Sequence, residues 1–484
     1  MPNIKINGIE YSFTDGESIL QIALRNNIDI PSLCYLKDTK KYISCMLCIV
    51  KDKSNNELIP SCGVKAVDGM DIDADAQEVI DARIETLQVL LAEHTGDCIA
   101  PCRRVCPFDI NISLLLRYIE NKQFEETYKL IIYEMPFPSI ITKLCTKPCE
   151  KSCRRGIIDN PVSISNIKML LINKMKDYPY KKFKIDKNGM SIGIIGSGYQ
   201  GLTIAYFLLL MGYDCTLFEK NEINWDIISD CDIKKDELDN ELLFLEKLGL
   251  KINIDNNLDD KSHISNLVNK YKAVAVTDKY RNIINYKESN IFVINKKKEN
   301  NNLMMLLKEV KDYSQKIDQY LTDKKYNKKF DSIIGKVEKE ELLNQVKNKN
   351  DRIINDYINY SQTDMINEAG RCLHCECSDA DNCKLRLYAS QYGINKLKYK
   401  LNKRKKIERT IYHSKIVYEE GKCIKCGICV RLSEKKGLKN GFTFYKRGID
   451  TTVILPFPDA RDNNINELIN IIKQCPTGAL SYNN

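Results

Sequence analysis

The chain has 484 residues, 43% of them hydrophobic, 20 cysteines and a formal net charge of +9. That length suits about three or four domains at the usual ~100 to 200 residues each. The longest strongly apolar run, Thr203 to Met211, falls far short of the roughly 20 residues that span a bilayer, which excludes a membrane-spanning segment. So many cysteines behind an N-terminus that reads as a strand rather than a signal peptide argue for metal ligation in a cytoplasmic protein and against a disulfide framework.

IKINGIEYSF predicts two short strands around the turn Asn7-Gly8, because Asn-Gly between alternating apolar residues favours a tight hairpin. ESILQIALRNN carries Ile19, Leu20, Ile22, Ala23 and Leu24, the buried face of a helix. Cys34, Cys45, Cys48 and Cys62 follow, with ten, two and thirteen residues between them. Four thiolates suffice for a 2Fe-2S cluster, whereas zinc prefers two compact CxxC pairs. Plant-type ferredoxins have four residues in the first gap, so this is another variant. IPSLCYLKD with SCMLCIVK and LIPSCG resembles the N-terminal ferredoxin domain of the complex I large iron-sulfur subunit, iron-only hydrogenases and NAD-linked formate dehydrogenases.

Val79 to Glu93 reads as a helix with Ile80, Ile84, Leu87 and Leu91 on its apolar face. His94, Cys98, Cys102 and Cys106 then recur at intervals of four, and Cys145, Cys149 and Cys153 form a second set. Thiolates in such density select iron-sulfur clusters or zinc. From CIAPCRRVCPFDI to KLCTKPCEKSCRRGIIDNPVSI the chain resembles the iron-sulfur domain of the glutamate synthase small subunit and dihydropyrimidine dehydrogenase. The resemblance implies two 4Fe-4S clusters, one on Cys98, Cys102 and Cys153, the other on Cys106, Cys145 and Cys149. Each is one ligand short. His94 stands where an upstream ligand completes the first, with a helix-end cap as the competing reading. At the position of the family's Gln or Glu stands Lys168, whose ammonium donates and does not accept.

MSIGIIGSGYQGLTIAYFLLLMGYDCTLFEK has a strand, Gly196, Gly198 and Gly201 opening a helix, and a second strand ending at Glu219, the dinucleotide fingerprint in its required setting. The same resemblance implies FAD at Gly196, Gly198, Gly201 and Glu219; the competing reading is a structural remnant. Tyr199 and Gln200 replace the family's compact Pro-Ala pair. YKAVAVTDKY and IFVINKKKEN stand where glycine turns are expected. Between Tyr213 and Ala369 the only glycines are Gly249 and Gly335, so a nicotinamide loop is missing and the unit is expected to be cut down. NLMMLLKEVKDYSQKIDQYL carries a helical apolar stripe that suits a core.

Cys372, Cys375, Cys377 and Cys383 lie within twelve residues, enough for another 4Fe-4S cluster, with zinc in competition. His374 reads as a bystander. The basic run Lys396 to Arg409 reads as a linker or a face for an acidic partner rather than a nucleic-acid module. Cys423, Cys426 and Cys429 with Cys475 before Pro476 form the bacterial ferredoxin pattern, closing one 4Fe-4S cluster. Cys215 and Cys231 read as structural.

The expected architecture is multidomain, α+β and α/β. It comprises a β-grasp 2Fe-2S ferredoxin (1–78), an α-helical 4Fe-4S domain (79–185) and a reduced Rossmann-type FAD domain (186–360). A cysteine-rich segment (361–395), a basic linker (396–415) and a single-cluster ferredoxin-like domain (416–484) complete it. One 2Fe-2S and three or four 4Fe-4S clusters, roughly 14 to 18 irons, suggest a one-electron relay without catalytic residues of its own. Resemblance implies as partners an NADH-oxidising flavoprotein subunit and a hydrogenase, formate dehydrogenase or ferredoxin. Two alternatives stay open: a self-contained NAD(P)H-dependent oxidoreductase like the glutamate synthase small subunit, and a zinc-binding scaffold.

Overall fold

The computed structural model describes residues 1–484 apart from 176–184, 226–232, 284–288, 295–301, 325, 327–328, 347, 354–359, 395–396, 400–406, 413–415, 458–464 and 483–484. Cys231, most of the basic run and the second half of IFVINKKKEN therefore lie outside the described residues. The chain gathers into two compact units. The first comprises Met1–Ile99, Asn327–Glu341 and Cys375–Asn484; the second comprises Ala100–Tyr326 and Leu342–His374.

The first unit begins with the expected hairpin. β1 (Asn3–Ile6) pairs antiparallel with β2 (Ile9–Ser12), across a turn in which Asn7 and Gly8 both take positive φ, 51° and 83°. With β3 (Ile49–Asp52), β4 (Glu57–Pro60) and β5 (Asp71–Asp73) they form a mixed sheet in the order β2-β1-β5-β3-β4. The helix Ile19–Arg25 starts at a capping box between Ser18 and Gln21 and buries Ile19, Leu20, Ile22 and Ala23. These pack with Ile4, Ile6, Val50 and Ile72 around a core that also takes in Cys48 and Cys62.

The next helix, Gln77–Ala92, departs from expectation. Its buried stripe is Val79, Arg83, Leu87 and Leu91, not one running through Ile80 and Ile84. The cause is Arg83, which donates from Nη2 to the Ile49 carbonyl at 2.9 Å and from Nη1 to the Tyr392 hydroxyl at 3.0 Å. A buried guanidinium with acceptors displaces an apolar residue from the inner face.

The second unit opens with the helices Ile112–Glu120, Phe124–Glu134, Pro138–Leu144 and Ile164–Met175. It continues into a parallel sheet of β6 (Ser191–Ile195), β7 (Asp214–Glu219), β8 (Lys251–Ile254), β9 (Ala273–Thr277) and β10 (Ile291–Ile294), ordered β10-β9-β6-β7-β8. The helix Gly198–Leu210 is buried along its whole length, as a near-continuous apolar run demands. The helix Leu303–Thr322 buries Met304, Leu306, Leu307, Val310 and Ile317, so its stripe is core.

The first unit resumes at the C-terminus. β11 (Arg409–Tyr412), β12 (Ile416–Glu419) and β15 (Leu480–Tyr482) form one antiparallel sheet, and β13 (Thr443–Tyr445) pairs with β14 (Thr452–Ile454). The helices Ile428–Lys435 and Ile465–Ile472 pack there around Phe442, Val453, Leu468 and Ile471. Among the described residues no helix is long and apolar enough to cross a membrane.

Candidate metal centres

In the first unit Cys34, Cys45, Cys48 and Cys62 are all buried and are linked side chain to side chain in the order Cys45, Cys34, Cys62, Cys48. Cys34 shares hydrogen bonds with Cys45 and Cys62, and Cys48 shares one with Cys62. Those bonds hold Cys34 far below the ordinary thiol value and bring Cys48 down to about 7, while Cys45 and Cys62 are pushed up as the donors. Thiolates and thiols crowded together are the arrangement that a cluster cation resolves by displacing the remaining protons. The backbone is bent to achieve it: Ile43 and Met46, on either side of Cys45, take φ of 50° and 52°. A β-branched residue such as Ile43 adopts that conformation only when the surroundings impose it.

A left-handed residue recurs inside other cysteine motifs: Lys425 between Cys423 and Cys426, Gly427 between Cys426 and Cys429, Lys147 between Cys145 and Cys149, and His374 between Cys372 and Cys375. The turn aims backbone N–H groups at sulfur. The N–H of Lys425 lies 3.4 Å from Cys423 Sγ and that of His374 3.4 Å from Cys372 Sγ. Such donors lower the charge that a thiolate ligand must carry.

Cys423, Cys426, Cys429 and Cys475 line a single cavity with Tyr418 and Ile428. Burial pushes Cys426 up to about 12, and the other three cysteines act on Cys429 in the same direction. Charge at Cys34 also reaches Cys426, so the first and last cysteine sets of the chain are neighbours.

A third set joins residues that spacing keeps apart. Cys98, Cys377 and Cys383 share one environment: burial raises all three, charge at Cys377 raises Cys98, and both raise Cys383, which reaches about 12. The Ser332 and Arg386 N–H groups stand 3.4 Å from Cys98 Sγ and Cys383 Sγ. This set abuts the C-terminal one through its closing loop. Cys383 Sγ lies 3.7 Å from the Pro476 carbonyl, and a Cβ on Gly478 would sit 3.0 Å from Cys377 Sγ. Cys375 belongs to the same unit, whereas Cys372 belongs to the other.

His94 is half-buried, with its Nδ1 covered. Burial first, then the Lys422 charge, depress it to about 4, and its Nδ1 has no hydrogen-bond partner. The charges acting on it are those of Lys422 and Glu419, a buried ion pair, and not those of a cysteine.

In the second unit Cys106 and Cys145 both act on Cys149, which burial drives up to about 12 while the Lys168 charge pulls it down. Lys168 is buried, at 3% exposure. Cys153 is raised by burial and lowered by the N–H groups of Val162, Arg155 and Gly156. Cys102, Cys153 and Cys372 pack against the same core.

Buried thiols with amide donors and few competing carboxylates fit iron-sulfur clusters. A dinucleotide fits less well. The glycines of the fingerprint are needed for packing, since a Cβ on Gly196 would lie 2.0 Å from Thr277 Oγ1 and one on Gly201 1.9 Å from the Gly196 carbonyl. Ser197 N and Oγ donate to Glu219 Oε2 at 2.8 and 2.7 Å, while Lys220 N and Lys279 Nζ donate to Oε1 at 2.9 and 2.8 Å and the Tyr280 hydroxyl donates there too. The Gly198 N–H, which a pyrophosphate would need, donates to the Asn224 carbonyl at 2.7 Å. Gln200 is tied to Ile294 and Asp278. These groups as they stand do not fit FAD: each is satisfied by the chain itself. Cys215 is buried in β7, and among the described residues no other cysteine acts on it.

Sequence spacing brings out the first and last sets. It misses the grouping of Cys98 with Cys377 and Cys383 and the saturation of Glu219, because both are made by residues remote in the chain.

Comparison with known proteins agrees with the cysteine chemistry. Residues 2–77 match the family model of a 2Fe-2S iron-sulfur cluster binding domain, and residues 75–179 match that of dihydropyrimidine dehydrogenase domain II, 4Fe-4S cluster. The chain is 37% identical over 127 residues to the NADPH-Fe(3+) oxidoreductase subunit beta of Geobacter sulfurreducens, covering 25% of this chain and 18% of that one. It is 24% identical over 208 residues to the NADP(+)-dependent formate dehydrogenase subunit beta of Moorella thermoacetica, covering 37% and 29%. With the NADP-reducing hydrogenase subunit HndD of Solidesulfovibrio fructosivorans it shares 36% identity over 104 residues, covering 20% and 18%. The chain thus spans less than a third of the length of these relatives. It contains a 2Fe-2S domain followed by a 4Fe-4S domain, and its relatives are oxidoreductase subunits.

Proposed function

We propose that the chain is an iron-sulfur electron-transfer subunit. It relays single electrons between an NAD(P)H-oxidising flavoprotein subunit and a hydrogenase, a formate dehydrogenase or a ferredoxin. The observation that carries this reading is the adjacency of three cysteine sets in one unit: the Cys98 set against the Cys475 loop, and the Cys426 set against Cys34. Clusters held there would supply one-electron redox steps, and the chain's residues would set their spacing, burial and hydrogen bonding. The partner classes are supported by the names of the relatives.

In this reading the parallel-sheet unit is a scaffold without flavin, supported by the internal partners of Glu219, Gln200 and the Gly198 N–H. His94 is a candidate ligand on the strength of its unpartnered Nδ1. Cys106, Cys145 and Cys149 would hold a cluster, with the Lys168 charge acting on Cys149 beside them.

The test is anaerobic purification from the native host with iron, sulfide and flavin counts and analysis of co-purifying chains. Roughly 14 to 18 irons per chain, paramagnetic signals after dithionite and a redox partner are expected. A colourless, zinc-loaded protein would overturn the proposal.

A further inference from the structure

Three of the ten residues between Cys34 and Cys45, Thr39, Lys40 and Tyr42, contact one side chain from the far end of the sequence. Arg431, on the helix Ile428–Lys435, is buried at 2% exposure. Its Nη2 donates to the carbonyl of Cys34 at 2.6 Å and to that of Cys426 at 3.2 Å. Nη1 donates to Thr39 Oγ1 at 3.0 Å and to the Lys40 carbonyl at 2.9 Å, and Nε to the Gly427 carbonyl at 3.3 Å. The Tyr42 ring lies over the guanidinium, 4.8 Å from centroid to Cζ.

Every acceptor is neutral, and among the described residues no carboxylate pairs with this cation. A buried charge without a counter-ion is costly. The carbonyls that its Nη2 holds belong to Cys34 and Cys426, two residues whose side chains can carry negative charge as thiolates.

We propose that Arg431 is the positioning residue for electron passage between the N-terminal and C-terminal clusters, its guanidinium bridging the two cysteine backbones and offsetting the charge of the reduced clusters. This rests on the relay reading. One nitrogen bonded to both carbonyls joins a residue of one cysteine set to a residue of the other through two hydrogen bonds. The step Arg431 would serve is the passage of one electron from a reduced cluster, which would be oxidised, to an oxidised neighbour, which would be reduced. No bond breaks and no proton moves, because the guanidinium stays protonated throughout. The length of the Cys34–Cys45 loop follows from the same contact, since it supplies Thr39, Lys40 and Tyr42 as the receptor.

The full chain, purified anaerobically, tests this with Arg431→Gln and Arg431→Lys. The reduction equilibrium of both clusters in Arg431→Gln should become at least about tenfold less favourable, about 59 mV for one electron. Redox titration followed by electron paramagnetic resonance reads this. Arg431→Lys keeps the charge but cannot span both carbonyls, so the midpoints should stay closer to wild type while rapid-freeze measurement shows slower transfer between clusters and weaker spin coupling. Should Arg431→Gln fail to load its clusters, Arg431→Lys with Thr39→Ala still tests the bridge. Loaded variants with wild-type midpoints, coupling and transfer rate would overturn the role of Arg431. A wild-type chain without paramagnetic clusters would instead overturn the relay itself.

Discussion

The N-terminal cysteine pocket and the glycine fingerprint of β6 are both recognisable sequence motifs, and they end differently. At the pocket, the four sulfurs have each other, backbone amides and the Ser61 hydroxyl for company, and no carboxylate is among the groups acting on them. At the fingerprint, the carboxylate and amides that would greet a nucleotide are occupied by Ser197, Lys279, Tyr280 and Asn224. A motif therefore specifies a backbone shape, while binding depends on which polar groups the rest of the chain leaves unsatisfied.

The largest effects should come from breaking the cysteine side of that contrast. Cys48→Ser should remove about two irons and the 2Fe-2S signal, while Cys426→Ser should remove about four and the C-terminal signal. Counting iron after anaerobic purification distinguishes them. Unchanged iron in either variant would mean that its sulfur is not a ligand.

The fingerprint side is sharpened by flavin analysis. Acid extracts of protein carrying full iron should show no flavin fluorescence, and adding FAD should leave the fluorescence of Trp225 unaltered. Stoichiometric flavin would show that Lys279 and Tyr280 move aside for the cofactor and that the satisfied carboxylate is a resting arrangement.

These contrasts show what a linear reading can reach. The sets at Cys34 to Cys62 and Cys423 to Cys475 were legible because their ligands lie in local turns or precede a single Cys-Pro signal. The Cys98 set was not, since Cys377 and Cys383 lie 279 and 285 residues further along and reach Cys98 only through packing. The strands β6 and β7 and the helix between them were legible from the glycine fingerprint, while β8 carried no signal that was read; the saturation of Glu219 depends on Lys279 and Tyr280, sixty residues away and without a motif. In the helix Gln77–Ala92 the apolar pattern pointed to Ile80 and Ile84, but the acceptors of Arg83 determined which side faced inward.

A smaller effect concerns how the second unit holds its own charges. Arg371 and Glu368 form an ion pair at 2.7 Å with both side chains fully buried, and Glu368 also accepts from the N–H groups of Ser163 at 2.8 Å and Ile353 at 3.0 Å. Glu368→Ala strands a buried guanidinium and two amides. A loss of about 3 to 5 kcal/mol is expected in anaerobic denaturation, and a loss below about 1 kcal/mol would show that Asp159, 2.9 Å from Arg371, takes over the pair.

The smallest effect compares two buried carboxylates of that unit. Burial pushes Glu219 up, but its donors Lys279, Tyr280 and Ser197 outweigh this and hold it down at about 2. Glu241 has only Ser139 as donor, and burial raises it from 4.5 to about 7. Between those two values the folded chain keeps a proton that the unfolded chain has released, so the contribution is complete below 4.5 and is lost as pH rises through 7. The whole swing is at most about 3 kcal/mol. Glu241→Gln cannot ionise, so its stability should lose this pH dependence and exceed that of the parent chain above neutrality, read as the difference in melting temperature between pH 5.5 and pH 8. Parallel curves for the two proteins would mean that Glu241 is solvated once charged. The contrast with Glu219 would then lie in water access rather than in the number of donors.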